Sequence, residues 1–362
     1  MRVVVSGGGT GGHIYPAVAL VKYIRQVDPK AEFLYIGTDR GLESKIVPEL
    51  GIPFKTVKIQ GFRRKLSLDN FKTIHLFVKA IAKSKEILKE FQPDIVIGTG
   101  GYVCAPVVYG AHQLGIATMI HEQNSVPGLT NKFLARYVDK IGICFEEAAE
   151  FFPKEKVSYT GNPRAQEIAS EPKNQLLTEQ FGLTKALPTA LIFGGSQGAL
   201  RINEATMELL PKVPNKPYQV LYVTGKRYYD DVMKKFPNEI SHVKIVPFIS
   251  NMQQILPNVS VVVGRAGATS LAEITALGLP SILIPSPNVT NDHQTKNAMS
   301  LVQAKAANMI KDQELTGDNL LNALDEILLS PDTCEKMAIA SQTLGVPDAS
   351  ERLYQLIKQV IA

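Results

Sequence analysis

VVVSGGGTGGH at residues 3–13 and ALIFGGSQGA at residues 190–199 decide the fold. In each stretch a short apolar run breaks into a glycine-rich turn, and a helical pattern follows. Consecutive apolar residues suit a strand covered on both faces of a parallel sheet. The glycines let backbone N–H groups approach an anion closely, and the following helix adds the positive end of its dipole. The plain alternative for either loop is a tight turn with close helix–sheet packing. Two such loops, one opening each half of the chain, predict two doubly wound α/β domains. They also predict a phosphate-bearing ligand in a cleft between the domains, because ligands sit at strand carboxyl ends in open sheets.

Outward from these loops, strand-like runs alternate with helical patterns. The first half has runs at 3–6, 33–36, 54–59, 94–97, 117–121 and 140–144. The second has runs at 190–193, 219–223, 243–246, 260–263, 281–284 and 307–310. The junction falls near 160–172, where TGNPRAQEIASEP holds two prolines and no strong apolar period. A last helical stretch, 350–361, follows a break at 345–347. A length of 362 residues accommodates two domains.

Composition excludes several classes. Hydrophobic residues at 45% and charged residues at 20% are ordinary globular usage. Cys104, Cys144 and Cys334 form no C-x-x-C pair, and the six histidines show no metal-ligand spacing, so neither a disulfide framework nor a metal site is expected. The opening MRVVVSGGG does not read as a secretory leader. No charge occurs between Asp94 and Glu122, but five glycines and a proline in that stretch favour two buried strands around a helix over a membrane span. Residues 54–90 carry ten basic and three acidic side chains, a patch suited to a polyanion or an anionic membrane surface.

Individual residues refine the picture. Gly7, Gly9 and Gly12 match a dinucleotide fingerprint, but Asp39 lies beyond the second strand's end, where a ribose-binding acid should close it. No P-loop lysine follows either glycine cluster. In GRAGATSLAE (264–273) a strand ends and a helix starts near Thr269. Glu273, in its first turns, either holds a vicinal diol such as a ribose or compensates the helix dipole. His13 closes the first loop and either takes a proton from a hydroxyl nucleophile or bonds its own loop backbone. His75 and His242 read as solvated, and His112 and His121 as core or loop positions. In a helix over 70–91, Phe71, Ile74, Phe77, Val78, Ile81 and Leu88 read as the core face. Lys72, Leu76, Lys83 and Ile87, with Lys79 beside them, read as a surface strip suited either to a membrane or simply to water.

GGGTGGH, GTGGYVCAP (98–106), HEQNSVPG (121–128), GNPR (161–164), GGSQGA (194–199), FISNM (248–252), GRAGATSLAE and DHQTKNA (292–298) occur in that order. Together they resemble the MurG family, the UDP-N-acetylglucosamine transferases that make lipid II for peptidoglycan, from about residue 2 to the final helix. The resemblance implies an α/β GT-B fold, two doubly wound Rossmann-like domains facing across a cleft. Residues 1–160 would bind the acceptor and associate with the membrane, and 161–345 would bind the UDP-sugar, with the 346–362 helix packing back on the first domain. It implies inverting transfer from UDP-N-acetylglucosamine to the 4-hydroxyl of an undecaprenyl-diphosphate-linked N-acetylmuramoyl acceptor. Another GT-B transferase acting on a membrane lipid, and a nicotinamide-dependent dehydrogenase, are the rival readings.

Carried over by motif, Thr10, Gly11 and Gly12 would face the donor diphosphate and acceptor, and Asn124 and Arg164 the donor sugar. Ser196, with Gln197 and Gly198, would bind phosphate, and the Ile249 backbone would read the uracil edge. Arg265 would add a donor contact, Glu273 would hold the ribose, and Gln294 would bond sugar hydroxyls. His13 would be the catalytic base and Tyr102 would lie on the acceptor side. Lys72, Leu76, Lys79, Lys83 and Ile87 would touch the membrane. No cofactor, metal or nucleic acid is implied; the partners are the UDP-sugar, the lipid acceptor and an anionic membrane, met from its cytoplasmic side.

Overall fold

The computed structural model describes residues 1–61, 69–195 and 197–362, and side chains of the helix beginning at Asp69 are described from Thr73 onward. The chain divides into two units, Met1–Arg164 with Asp348–Ala362, and Ala165–Pro347. The division falls inside a short helix, Pro163–Ala169.

Among the described residues the first unit has a seven-stranded sheet. Its strands are β1 (Arg2–Gly7), β2 (Glu32–Gly37), β3 (Phe54–Thr56), β4 (Ile95–Gly100), β5 (Ala117–Glu122), β6 (Lys140–Ile143) and β7 (Val157–Tyr159). All pair in parallel, in the order β3-β2-β1-β4-β5-β6-β7. The second unit holds β8 (Thr189–Phe193), β9 (Gln219–Val223), β10 (Val243–Val246), β11 (Val261–Gly264), β12 (Ser281–Leu283) and β13 (Ala307–Met309). These are parallel in the order β10-β9-β8-β11-β12-β13. Strand order reverses beside β1 in one sheet and beside β8 in the other. Both glycine-rich loops therefore leave the carboxyl edge at a switch point, where open α/β sheets take ligands.

Alternation explains why these strands look uniformly apolar. Val3 and Val5 enter a core with Ile14, Leu20 and Ile24 of the helix Gly11–Val27 and with Leu353, Leu356 and Ile357 of the last helix, Ala349–Ile361. Val4, between them, enters the opposite core with Leu88, Val96 and Val107. The uncharged stretch between Asp94 and Glu122 is β4, the helix Cys104–Gln113 and β5. No helix among the described residues is long and apolar enough to cross a membrane.

Three local expectations need correction. The third strand ends at Thr56, short of residue 59, and β7 is additional. His112 is exposed, with its ring beside Tyr109 and Tyr137, so it is not a core position. The helix Asp69–Phe91 is rotated from the expected reading. Ile74 and Val78 are 50% and 59% exposed, whereas Thr73, Ala80, Ser84 and Ile87 are buried. The cause is the packing partner, the helix Cys104–Gln113. A Cβ on its Gly110 would stand 3.6 Å from Ser84 Cβ. Backbones that approach this closely select small side chains, so the core face is not the most apolar one.

Candidate active site

In the first unit, three neighbouring strands deliver the site. β1 ends at Gly7, β4 at Gly100 and β5 at Glu122, and the loops beyond them share the carboxyl edge of the sheet. Thr10 is the N-cap of the helix Gly11–Val27 with extended backbone, so Gly11, Gly12 and His13 form its first turn. A first turn presents N–H groups without intrahelical partners, which suits an anion. Thr10 and Gly12 are exposed and Gly11 half-buried.

His13 is fixed from two sides. Its Nδ1 lies 2.9 Å from the Gly8 carbonyl oxygen and 3.3 Å from Thr10 Oγ1. A carbonyl only accepts, so the neutral ring carries its proton on Nδ1 and its lone pair on Nε2. The ring lies against Gly100, whose φ is +113°; a Cβ there would come within 2.9 Å of Nε2. The Thr99 hydroxyl donates to the His13 carbonyl at 2.7 Å, tying β4 to the same helical turn. Cys104 Sγ accepts the Gly100 N–H at 3.2 Å, and burial pushes this thiol up to about 12, so it stays protonated. Tyr102 is 39% exposed, and its ring edge borders the Gly9 position at 4.0 Å.

The HEQN segment is organised by a residue the sequence reading passed over. Glu122 is buried, and one carboxylate oxygen accepts the Asn124 N–H at 3.0 Å and the Asn124 side-chain amide at 3.2 Å. The other accepts the Gly128 N–H at 3.2 Å and the Asn131 amide at 2.8 Å. Asn124 is thereby oriented by the carboxylate two residues before it. His121 is buried, donates from Nε2 to the Gly161 carbonyl at 2.9 Å and accepts from Gln123 at 3.0 Å. Burial lowers its pKa to about 4. Arg164 places its guanidinium 5.6 Å from the Tyr15 ring centroid, one turn along from the first glycine loop.

The second unit repeats the scheme. Gly195 and Gly198 take left-handed backbone before the helix Leu200–Leu209, and a Cβ at Gly198 would collide with the Thr224 carbonyl beyond β9. Asn203 donates to that same carbonyl at 3.0 Å, so the loops after β8 and β9 are locked together. Gln197 is exposed, and Ser196 lies outside the described residues. Beyond β10, Ile249 is buried while Phe248 is 43% exposed, with Lys226 Nζ 5.1 Å above its ring.

Beyond β11, the helix Ala268–Ala276 has no acid in its first turn. Glu273 is half-buried one turn further in, which weakens the helix-dipole reading. Gln294 accepts the Ser286 N–H at 2.8 Å, docking its helix on the loop beyond β12. Asn291 and Asp292, just before that helix, both take positive φ. Arg265 is anchored within the second unit. One guanidinium nitrogen bonds the carbonyls of Ile284 and Pro285 and pairs with Asp312 at 2.5 Å, so it braces the sheet edge. On the helix Asp69–Phe91, Lys79 and Lys83 are exposed, Leu76 is half-buried and Ile87 buried, and the Lys72 side chain lies outside the described residues. These positions do not form one exposed strip.

Two doubly wound units, each with a glycine-bearing loop at the switch point of a parallel sheet, define the GT-B class. The glycosyltransferase family 28 N-terminal domain matches residues 3–143, and the family 28 C-terminal domain matches 189–353. The chain belongs to the MurG family of glycosyltransferases. A Bacillus cytotoxicus relative, 54% identical with 100% of both chains covered, is named UDP-N-acetylglucosamine–N-acetylmuramyl-(pentapeptide) pyrophosphoryl-undecaprenol N-acetylglucosamine transferase. A Pediococcus pentosaceus relative of the same name is 54% identical over 99% of each chain. The crystal structure of Acinetobacter baumannii MurG superposes with a TM-score of 0.79 at 28% identity, covering 99% of each chain. A UDP-GlcNAc 2-epimerase from Neisseria meningitidis, at 14% identity and a TM-score of 0.69, covering 99% of this chain and 100% of that one, shares the fold alone. None of these relatives supports the dehydrogenase reading.

Proposed function

We propose that this enzyme transfers N-acetylglucosamine from UDP-N-acetylglucosamine to the 4-hydroxyl of the N-acetylmuramoyl unit of lipid I, with inversion, giving lipid II. The observation that carries this reading is the end-to-end identity of 54% with relatives of that name. The geometry supports the following chemistry. His13 Nε2 takes the proton of the acceptor hydroxyl as its oxygen bonds the anomeric carbon. The bond from that carbon to the distal phosphate of UDP breaks, and its electron pair leaves with UDP. Helix N-termini at Gly11 and Leu200 offer N–H groups to the diphosphate charge. Glu273 holds the ribose, Asn124 and Gln294 the sugar, and the Ile249 backbone the uracil.

The acceptor carries a lipid, and the first unit offers a surface for it. Ile74, Val78, Leu129 and Phe133 are exposed, and the Phe133 ring lies 6.3 Å from that of Phe77. Exposed apolar residues beside Lys79 and Lys83 suit a peripheral contact with an anionic bilayer. This patch replaces the strip built on Leu76 and Ile87. Incubation with labelled UDP-N-acetylglucosamine and a lipid I analogue should give labelled lipid II. Transfer to diacylglycerol and none to lipid I would overturn the assignment in favour of another lipid-directed transferase.

A further inference from the structure

Behind the first glycine loop lies a carboxylate that the reaction as written leaves without a task. Glu43 is fully buried. Its Oε1 accepts the Thr38 N–H at 3.2 Å and the Thr38 hydroxyl at 2.7 Å, and its Oε2 accepts the Gly9 N–H at 3.1 Å. Glycines make room for it. A Cβ at Gly8 would come within 2.5 Å of Oε1, one at Gly37 within 2.7 Å of Cγ, and one at Gly41 would collide with the carboxylate itself.

The Gly9 N–H and the Gly8 carbonyl are the two ends of one peptide group. Glu43 holds the N–H end, and His13 Nδ1 donates to the carbonyl end at 2.9 Å. The result is a continuous line of carboxylate, peptide and imidazole. Hydrogen bonds in series polarise one another, so a carboxylate on the N–H strengthens the carbonyl as an acceptor. A stronger acceptor keeps the ring proton on Nδ1 and leaves the Nε2 lone pair for the substrate. In Ser-His-Asp triads the carboxylate touches the imidazole directly; here a peptide group stands between them.

We propose that Glu43 is a positioning residue for His13, fixing the tautomer and orientation of the ring through the Gly8–Gly9 peptide. The proposal rests on His13 being the base. Other titratable groups face this loop. The Tyr35 hydroxyl donates to the Gly7 carbonyl at 2.8 Å, and Cys104 lies beside Gly100. Burial raises both, Tyr35 well above its ordinary value, so both stay neutral. Tyr102 borders Gly9, and the Tyr15 ring borders Gly11. Among the described hydrogen bonds to residues 7–13, Glu43 is the carboxylate that enters this line.

The test uses the full chain with ¹⁵N-labelled histidine, reading the His13 tautomer by long-range ¹H–¹⁵N NMR beside steady-state transfer. Wild type should be mainly Nδ1–H. E43Q, a neutral isostere, should shift His13 toward a mixture of tautomers. It should also lower kcat about 10- to 100-fold, short of the ~10⁴ lost when a directly bonded triad carboxylate is replaced. S44A removes a hydroxyl that donates to the Gly41 carbonyl at 2.8 Å rather than to the carboxylate and serves as the structural control; it should leave tautomer and kcat near wild type. If E43Q does not fold, E43D reads the same way, since it withdraws the carboxylate by about one bond length, ~1.5 Å. An unchanged tautomer in the folded variant overturns the proposal, whatever kcat does. A shifted tautomer with unchanged kcat supports the coupling and overturns instead the assignment of His13 as base.

Discussion

A single methyl group at Gly100 should separate the geometry of His13 from the stability of the fold. Gly100 has φ +113°, and a Cβ there would lie 2.6 Å from His13 Cδ2 and 2.9 Å from Nε2. Ordinary contact begins near 3.4 Å, so the ring or the β4 loop must give way by about 0.8 Å. Misplacing a reacting group by about 1 Å costs roughly 10²-fold in rate. Placing a side chain on left-handed backbone adds a stability loss of about 1 kcal/mol or more. Gly100→Ala should therefore lower kcat about 100-fold, with UDP affinity changed far less than kcat because the ribose and uracil contacts are assigned to the second unit. The assay is transfer of labelled N-acetylglucosamine to a lipid I analogue, beside calorimetric UDP titration and thermal unfolding. Gly51→Ala is the control: its φ is +65° and nothing lies within 4 Å of its added Cβ. It should show the stability loss without the rate loss. A Gly100→Ala enzyme turning over within about threefold of wild type, less than 1 kcal/mol of barrier, would refute the placement of His13 at the reacting centre.

Glu273→Ala should weaken UDP about 10- to 150-fold by calorimetry, the equivalent of about 1.5–3 kcal/mol for a charged hydrogen-bond pair. Glu122→Ala leaves the N–H groups of Asn124 and Gly128 and the Asn131 amide without their acceptor; denaturant unfolding should show a loss of about 3 kcal/mol or more. Reversing charge at Lys79 and Lys83 together with Ile74→Ser and Val78→Ser should abolish co-sedimentation with anionic vesicles at low salt while UDP binding persists. His121 has its pKa lowered to about 4 by burial, so the unfolded chain binds its proton first as pH falls below about 6.5. Its contribution is intact above that value and shrinks toward pH 4, by about 2 kcal/mol at pH 5, and His121→Gln should flatten that part of the stability–pH curve.

The strands were legible because a parallel sheet covered on both faces needs unbroken apolar runs, and Val3–Val5 or Ala190–Ile192 serve no other end. β7 was not legible: Val157–Tyr159 is three residues long, edge-placed and partly exposed, so burial did not shape its sequence. The helix Asp69–Phe91 misled for the opposite reason. Hydrophobicity reports which face wants burial, but Thr73, Ala80 and Ser84 face the core because a neighbouring helix approaches closely, and closeness selects size. The motif resemblance makes Arg265 a donor contact; its ion pair with Asp312, 47 residues away in sequence, lies beyond any local pattern.

The glycine loops could be read as anion cradles, but what holds them could not. Glu43 and Glu122 bond mainly backbone amides and side-chain amides. Such partners leave no complementary charge in the sequence to search for. The trace they leave is negative: Gly8, Gly37 and Gly41 lack side chains where Glu43 needs room. This bears on why one fold carries unrelated chemistry. The fold sets where the loops leave each sheet, and an epimerase superposes on that arrangement at 14% identity. Function then rests on which donors and acceptors a loop has left after its buried anchors are satisfied. In the first loop, Glu43 takes the Gly9 N–H and His13 takes the Gly8 carbonyl, and the His13 N–H bonds the Thr10 carbonyl; the proposed mechanism draws on what is left, the Gly11 and Gly12 amides and the Nε2 lone pair.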